Sequence, residues 1–268
     1  MRRLQTRTAS VQGASVRYVT GGEGAPVVFL HGWALSHRSY RAALSRLAET
    51  GAEVYAPPLP GFGGTPPLKP TARSLAGYGR WVADFVRAAG ITEPVTLIGH
   101  SFGGGVALQT AHDHPELVDR LVLVNSVGGS EWKAGRELRD RPLWDWGLHL
   151  STDVLSPRTM TRVLPVVLED LVGNALRNPG ALWHVGRLAQ EANLAAELEV
   201  VRRRRLPVFI LWGKGDRVIP LASVRALAGG AEVHTVPGDH NWLIADPERF
   251  VEVMTNVTGS GLADGPAA

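Results

Sequence analysis

Gly99-His100-Ser101-Phe102-Gly103 lies between a short β-branched run, Pro94 to Ile98, and a helix-like run, Phe102 to His112. A Gly-x-Ser-x-Gly in that setting reads as a sharp strand-to-helix turn with its serine hydroxyl at the apex, where it can act as a nucleophile. The two glycines have a steric reason, because a Cβ at either position would meet the packed strand or helix. The run before the turn is too short and too apolar for anything but a strand covered on both faces. The alternative is an ordinary glycine-rich turn.

The 268 residues fit one large domain, or one domain with an inserted cap. Hydrophobic residues make up 44% and charged residues 20%, as in ordinary globular proteins. There is no cysteine, which removes disulfides, thiolate metal sites and cysteine nucleophiles. A net charge of +3 gives no footprint for nucleic acid. The one dense charge run, Arg202 to Arg205, reads as a solvated helix end, with an acidic carrier protein as the sharper alternative. No run has the length of a signal-peptide core or a membrane span, so no membrane partner is expected and the expected location is cytoplasmic.

Along the chain, Ser10 to Val19 reads as an edge hairpin and Val27 to Leu30 as a buried strand ending at His31-Gly32-Trp33. A helix is expected over Tyr40–Glu49, a strand from Val54, and a proline- and glycine-rich loop over Pro57 to Gly64. Ser74 is placed to cap a helix over Leu75–Ala89. Arg120–Asn125 is the strand after the serine turn. The alternation then breaks. Val127 to Val201 shows no convincing strand, two helix-like stretches (Thr159–Gly173 and Ala181–Val201) and four of the eight tryptophans. It resumes with Val208–Trp212, Leu221–Ala228, Glu232–Val236 and a last helix from Pro247 to Val257, capped by Asp246. Alternating strands and helices give an α/β fold, a mostly parallel sheet with helices on both faces. The division expected is a core of residues 1–126 and 202–258, a helical cap over 127–201, and a disordered tail over 259–268.

A serine nucleophile needs a base, and the base needs an orienting acid. Reactive groups gather at the carboxyl ends of parallel strands. Asp216 follows the strand Val208–Trp212, and His240 follows the strand ending at Val236, in the order Ser, Asp, His. Asp239 competes with Asp216 but adjoins His240, and side chains adjacent on an extended loop diverge. The other strand end that could supply an acid carries Asn125 and Ser126, which cannot hold the charge. Among the histidines, His100 should point away from its neighbour's hydroxyl, His31 should organise its own loop, and His112 and His114 suit a helix C-terminus. Two backbone N–H donors are needed for a tetrahedral oxyanion, and Phe102 and Trp33 are the candidates.

Five segments in order, His31-Gly32-Trp33, Leu59-Pro60-Gly61-Phe62-Gly63, Gly99 to Gly104, Gly213 to Asp216 and Gly238-Asp239-His240, resemble the α/β-hydrolase fold superfamily over residues 10–257 apart from the cap. The resemblance implies an eight-stranded sheet and a Ser101-Asp216-His240 triad that works without cofactor or metal. Haloalkane dehalogenases and epoxide hydrolases carry Asp where this chain has Ser101, and a proline where it has Ala34. Trp242 is faintly similar to the meta-cleavage C–C hydrolases, whose glycine-rich loop is missing. The His-Gly-Trp and Leu-Pro-Gly-Phe-Gly segments are similar to pimeloyl-acyl-carrier methyl ester esterases. The expectation is a serine carboxylesterase acting on small to medium apolar acyl or aromatic esters, with His31, Trp144, Trp146, Trp183 and Trp242 as candidate pocket residues. Alternatives are a C–C hydrolase, lactonase, amidase or perhydrolase with the same triad, or a ligand-binding member of the fold without turnover.

Overall fold

The structure is a computed structural model that describes residues 4–133, 136–142, 145 and 164–258. Trp144, Trp146, His149, the start of the helix expected from Thr159, and the expected tail 259–268 lie outside the described residues.

The chain starts with two antiparallel strands, β1 (Gln5–Val11) and β2 (Ala14–Gly21), turning at Gln12-Gly13. Then follow β3 (Ala25–Leu30), α1 (Arg41–Glu49), β4 (Ala52–Ala56), α2 (Leu75–Ala88), β5 (Val95–His100), α3 (Phe102–Asp113) and β6 (Val118–Val124). Further along the chain come β9 (Val208–Gly213), α7 (Leu221–Ala228), β10 (Val233–Val236), the short α8 (Trp242–Ala245) and α9 (Pro247–Thr258). The eight-stranded sheet has the order β1-β2-β4-β3-β5-β6-β9-β10. It is parallel from β4 through β10, and β2 joins β4 antiparallel.

The central strands are apolar on both faces, and their period of two divides the core in two. Val28, Leu30, Leu97, Leu121, Leu123 and Ile210 face the layer of α2 and α3, with Trp81, Phe85, Phe102 and Val106. The alternate residues Val27, Phe29, Ile98, Val122, Val124 and Leu211 face α1 and α9, with Leu44, Leu47, Phe250 and Met254. Local signals close the helices. Ser74 Oγ accepts from the Gly77 N–H at 3.1 Å at the start of α2, and Asp246 Oδ1 accepts from the Arg249 N–H at 3.0 Å at the start of α9.

Between β6 and β9 the described residues form α4 (Leu164–Arg177), α5 (Pro179–Glu191) and α6 (Ala195–Arg203). Two expectations for this segment need correction. Residues Glu131–Lys133 (β7) and Arg136–Glu137 (β8) make a small antiparallel pair outside the main sheet. The single helix expected over Ala181–Val201 is two, because the chain leaves the helix at Ala192, Asn193 pairs with Gly128, and Leu194 N–H donates to the Gly128 carbonyl at 2.7 Å. That is a long-range tie with no local signature.

The helices between β6 and β9 are fastened to the loop after β3. Asp170 on α4 is buried and accepts from Ser36 N–H (3.0 Å), Ser36 Oγ (2.8 Å) and Ser39 Oγ (2.8 Å). One turn later, Asn174 donates to the Ala34 carbonyl and accepts from Gly63 N–H, both at 2.9 Å. From the other side, Trp33 Nε1 donates to the Leu182 carbonyl on α5 at 2.7 Å. Arg141 grips the loop after β9 through the carbonyls of Arg217 (2.9 Å) and Val218 (2.8 Å).

Candidate active site

Strand register brings the functional loops to one edge of the sheet. Leu30 pairs with Gly99, His100 with Val124, Val124 with Leu211 and Gly213 with Val236, so β3, β5, β6, β9 and β10 end together. Past these ends lie His31 to Trp33, Ser101, Asn125, Asp216 and His240.

Ser101 takes φ 54° and ψ −119°, a conformation that costs an L-residue energy and persists only where the surroundings enforce it. Its N–H donates to the Val124 carbonyl at 3.0 Å. Its carbonyl accepts from Gly104 and Val127 at 2.9 and 3.2 Å. The flanking glycines have no room for a side chain. A Cβ on Gly99 would fall 2.3 Å from the Gly103 carbonyl oxygen, and one on Gly103 would fall 2.3 Å from that of Leu30. The sharp turn is thus forced by close packing of β5, α3 and β3.

His240 Nδ1 donates to Asp216 Oδ2 at 2.8 Å, and both side chains are buried. Asp216 is satisfied on both oxygens. Oδ1 accepts from the N–H groups of Val218 (2.8 Å) and Ile219 (2.9 Å), and Oδ2 also accepts from Asn125 Nδ2 at 2.5 Å. Four donors thus converge on this one carboxylate. Asp239 turns back to its own loop, accepting from Asn241 N–H at 2.9 Å, and burial raises its pKa. With Nδ1 as the protonated nitrogen, Nε2 is the basic nitrogen of the His240 ring.

Ser101 and His240 line one small cleft with Gly32, Trp33, Leu35 and Val218. Phe102 is the first residue of α3, where a helix provides no acceptor for the backbone N–H. Trp33 borders the cleft from the other side.

Three of the expected pocket residues do other work. His31 is buried and bridges its loops, with Nδ1–H donating to the Gly32 carbonyl (2.8 Å) and Nε2 accepting from Leu59 N–H (2.8 Å). Burial lowers its pKa to about 4. Trp242 is buried against Phe250, with Nε1 donating to Asn125 Oδ1 at 3.1 Å, so it packs beneath the loops that carry Asn125 and His240. Trp183 is 65% exposed on the outer face of α5, while Val185 and Ala189 take the inner face. Asn125 is the residue sequence reasoning passed over. It cannot supply the acid, yet its position at the end of β6, next to β9, is the available signal.

The arginine run precedes β9 and so lies at the opposite end of that strand from Asp216, about 20 Å away at 3.3 Å per residue. Arg203 pairs with Glu199 at 3.0 Å, and Arg204 donates to the His112 carbonyl at 2.7 Å. Among the described residues, no cluster of three or more His, Cys, Asp or Glu is arranged to hold a metal, and no helix is long and apolar enough to cross a membrane.

A family model for the alpha/beta hydrolase fold matches residues 25–247. The chain belongs to the alpha/beta hydrolase family. A pimeloyl-[acyl-carrier protein] methyl ester esterase of Aromatoleum aromaticum is 32% identical over 224 residues, 75% of this chain and 84% of that one. A protein of Mycobacterium phage D29, provisionally named a non-heme haloperoxidase, is 29% identical over 265 residues, 90% of both chains. Among solved structures, a membrane phospholipase A from a bacterium superposes with a TM-score of 0.77 at 22% identity, covering 95% of this chain and 85% of that one, a likeness of fold. Alpha/beta hydrolases with esterase, haloperoxidase, epoxide hydrolase and C–C hydrolase names thus all match a chain that is itself a hydrolase of this fold.

Proposed function

We propose that the protein is a serine hydrolase of carboxylic esters that works through an acyl-enzyme on Ser101. The observation that carries this reading is the meeting of the buried Asp216–His240 pair and the strained Ser101 turn in one cleft. His240 Nε2 takes the proton of Ser101 Oγ as the oxygen bonds to the ester carbonyl carbon. Asp216 holds the ring in the productive tautomer and stabilises the imidazolium. The backbone N–H groups of Phe102 and Trp33 face the developing oxyanion. The tetrahedral intermediate collapses, the C–O bond to the alcohol breaks, and His240 returns the proton to the leaving oxygen. Water then repeats the sequence and releases the acid.

Leu35, Val218 and the Trp33 ring make the cleft wall largely apolar, which suits small to medium acyl or aromatic groups over sugars or phosphates. The test is hydrolysis of p-nitrophenyl esters from acetate to palmitate, beside Ser101→Ala. Turnover that peaks at short to medium chains and vanishes in the variant supports the reading. A folded protein that hydrolyses none of these esters contradicts it and turns attention to C–C, lactone or peracid chemistry at the same triad.

A further inference from the structure

Beneath the cleft, His100 engages both ring nitrogens in groups that belong to the site. Gly32 N–H donates to Tyr40 Oη at 3.1 Å. Tyr40 Oη lies 2.7 Å from His100 Nδ1, and His100 Nε2 lies 2.9 Å from the His240 carbonyl oxygen. All of these groups are buried. A carbonyl can only accept, so Nε2 carries the proton; Nδ1 is then the acceptor, and the tyrosine hydroxyl donates to it. One direction satisfies the chain throughout, from Gly32 N–H through Tyr40 and His100 to the backbone of His240.

We propose that His100 and Tyr40 are positioning residues that lock the backbone of the base, His240, to the backbone of the oxyanion loop at Gly32-Trp33. The two loops come from opposite ends of the chain and reach the cleft from different strands, β3 and β10. Their relative placement sets the distance between the oxyanion donor and Nε2 of the base. The His100 ring also packs 4.9 Å from the His240 ring, and a Cβ on Gly32 would sit 3.1 Å from His100 Nδ1, so the three parts interlock. Burial holds the His100 pKa well below its ordinary value, which agrees with the neutral form the wire requires. With both nitrogens committed, His100 has no free nitrogen for the serine hydroxyl.

This inference rests on the serine hydrolase reading above, and the experiment separates the two. Labelling of Ser101 by a fluorophosphonate reports on that reading alone; a folded wild type that is not labelled overturns both. With labelling established, Tyr40→Phe and His100→Phe are assayed on the best p-nitrophenyl ester, each checked for folding by circular dichroism. A misplacement of about 1 Å at a site of this kind costs up to about a hundredfold, so kcat should fall ten- to a hundredfold with KM within about threefold. His100→Gln, whose amide nitrogen reaches the place of Nε2, should recover part of the loss. The double variant should be no worse than His100→Phe, because the wire is broken once. Losses that multiply in the double variant, or kcat unchanged in folded variants, overturn the proposal. If the variants do not fold, nitrogen-15 spectra of the wild-type imidazoles decide it. A neutral His100 protonated at Nε2 from pH 5 to 8 supports the wire, and an Nδ1–H tautomer or an imidazolium contradicts it.

Discussion

Asn125 Nδ2 donates to Asp216 Oδ2 at 2.5 Å, the same oxygen that accepts from His240 Nδ1. Its own oxygen accepts from Gly213 N–H and Trp242 Nε1, at 3.2 and 3.1 Å, so one amide ties the end of β6 to β9 and to α8. The side chain sits on a backbone of φ 47°, a region that asparagine tolerates better than most residues. Asn125→Ala strands two buried donors and loosens Asp216. It should cost about 2–4 kcal/mol of stability, two to three unmet partners at about 1 kcal/mol or more each, and lower kcat at least tenfold. Urea unfolding and ester kinetics on the same sample check both.

His31 gives the stability a slope in acid. Its pKa is about 4 in the fold against 6.5 when exposed, because burial disfavours the charged ring. Between those values the unfolded chain holds a proton that the folded one does not. Stability from this group is therefore complete above about pH 6.5 and is lost as the pH falls towards 4, by about 3 kcal/mol at 1.36 kcal/mol per unit. His37, lowered to about 4, acts in the same direction, so the comparison must be made with His31→Gln. The wild type should lose more stability than the variant between pH 7 and 4.5, measured as urea midpoints. Parallel curves would remove His31 from the account.

The Asp170 clamp joins α4 to the loop that carries Trp33. Asp170→Ala leaves Ser36 N–H and two hydroxyls without their acceptor, and should lower stability by about 1–3 kcal/mol. Because Ser36 lies three residues past Trp33, the KM for esters should rise as well. Asp170→Asn keeps one acceptor oxygen and should fall between. Thermal melts and KM values for the three proteins make the comparison.

Two glycines provide opposite expectations. Gly103→Ala drives a Cβ into the Leu30 carbonyl with only backbone to give way, so a loss above about 4 kcal/mol, or failure to fold, is expected. Gly180, near the start of α5, has open space around a new Cβ, and its change to Ala should be neutral or stabilising by up to about 1 kcal/mol. Soluble yield and melting temperature distinguish them.

The same packing explains what could be read from the chain. The turn at Ser101 was legible because its glycines and the β-branched run before it obey local steric rules. The helix Leu221–Ala228 stood between clear stops, and it runs over those residues. The break between α5 and α6 depends on Gly128, more than sixty residues upstream. The β7–β8 pair is too short to show an alternation. Trp183 was misjudged because only the packed helix shows which face is inward. His100 and Asn125 were visible as residues, but their partners, Tyr40 and His240 for one and Asp216 and Trp242 for the other, meet only in the fold.

The most direct test of Ser101 as the nucleophile is intact-mass analysis after exposure to a fluorophosphonate, followed by peptide mapping. One adduct per chain on Ser101 is expected, slowed by at least a hundredfold in His240→Ala and absent from Ser101→Ala. A folded wild type that stays unlabelled, or an adduct on any other residue, would contradict it.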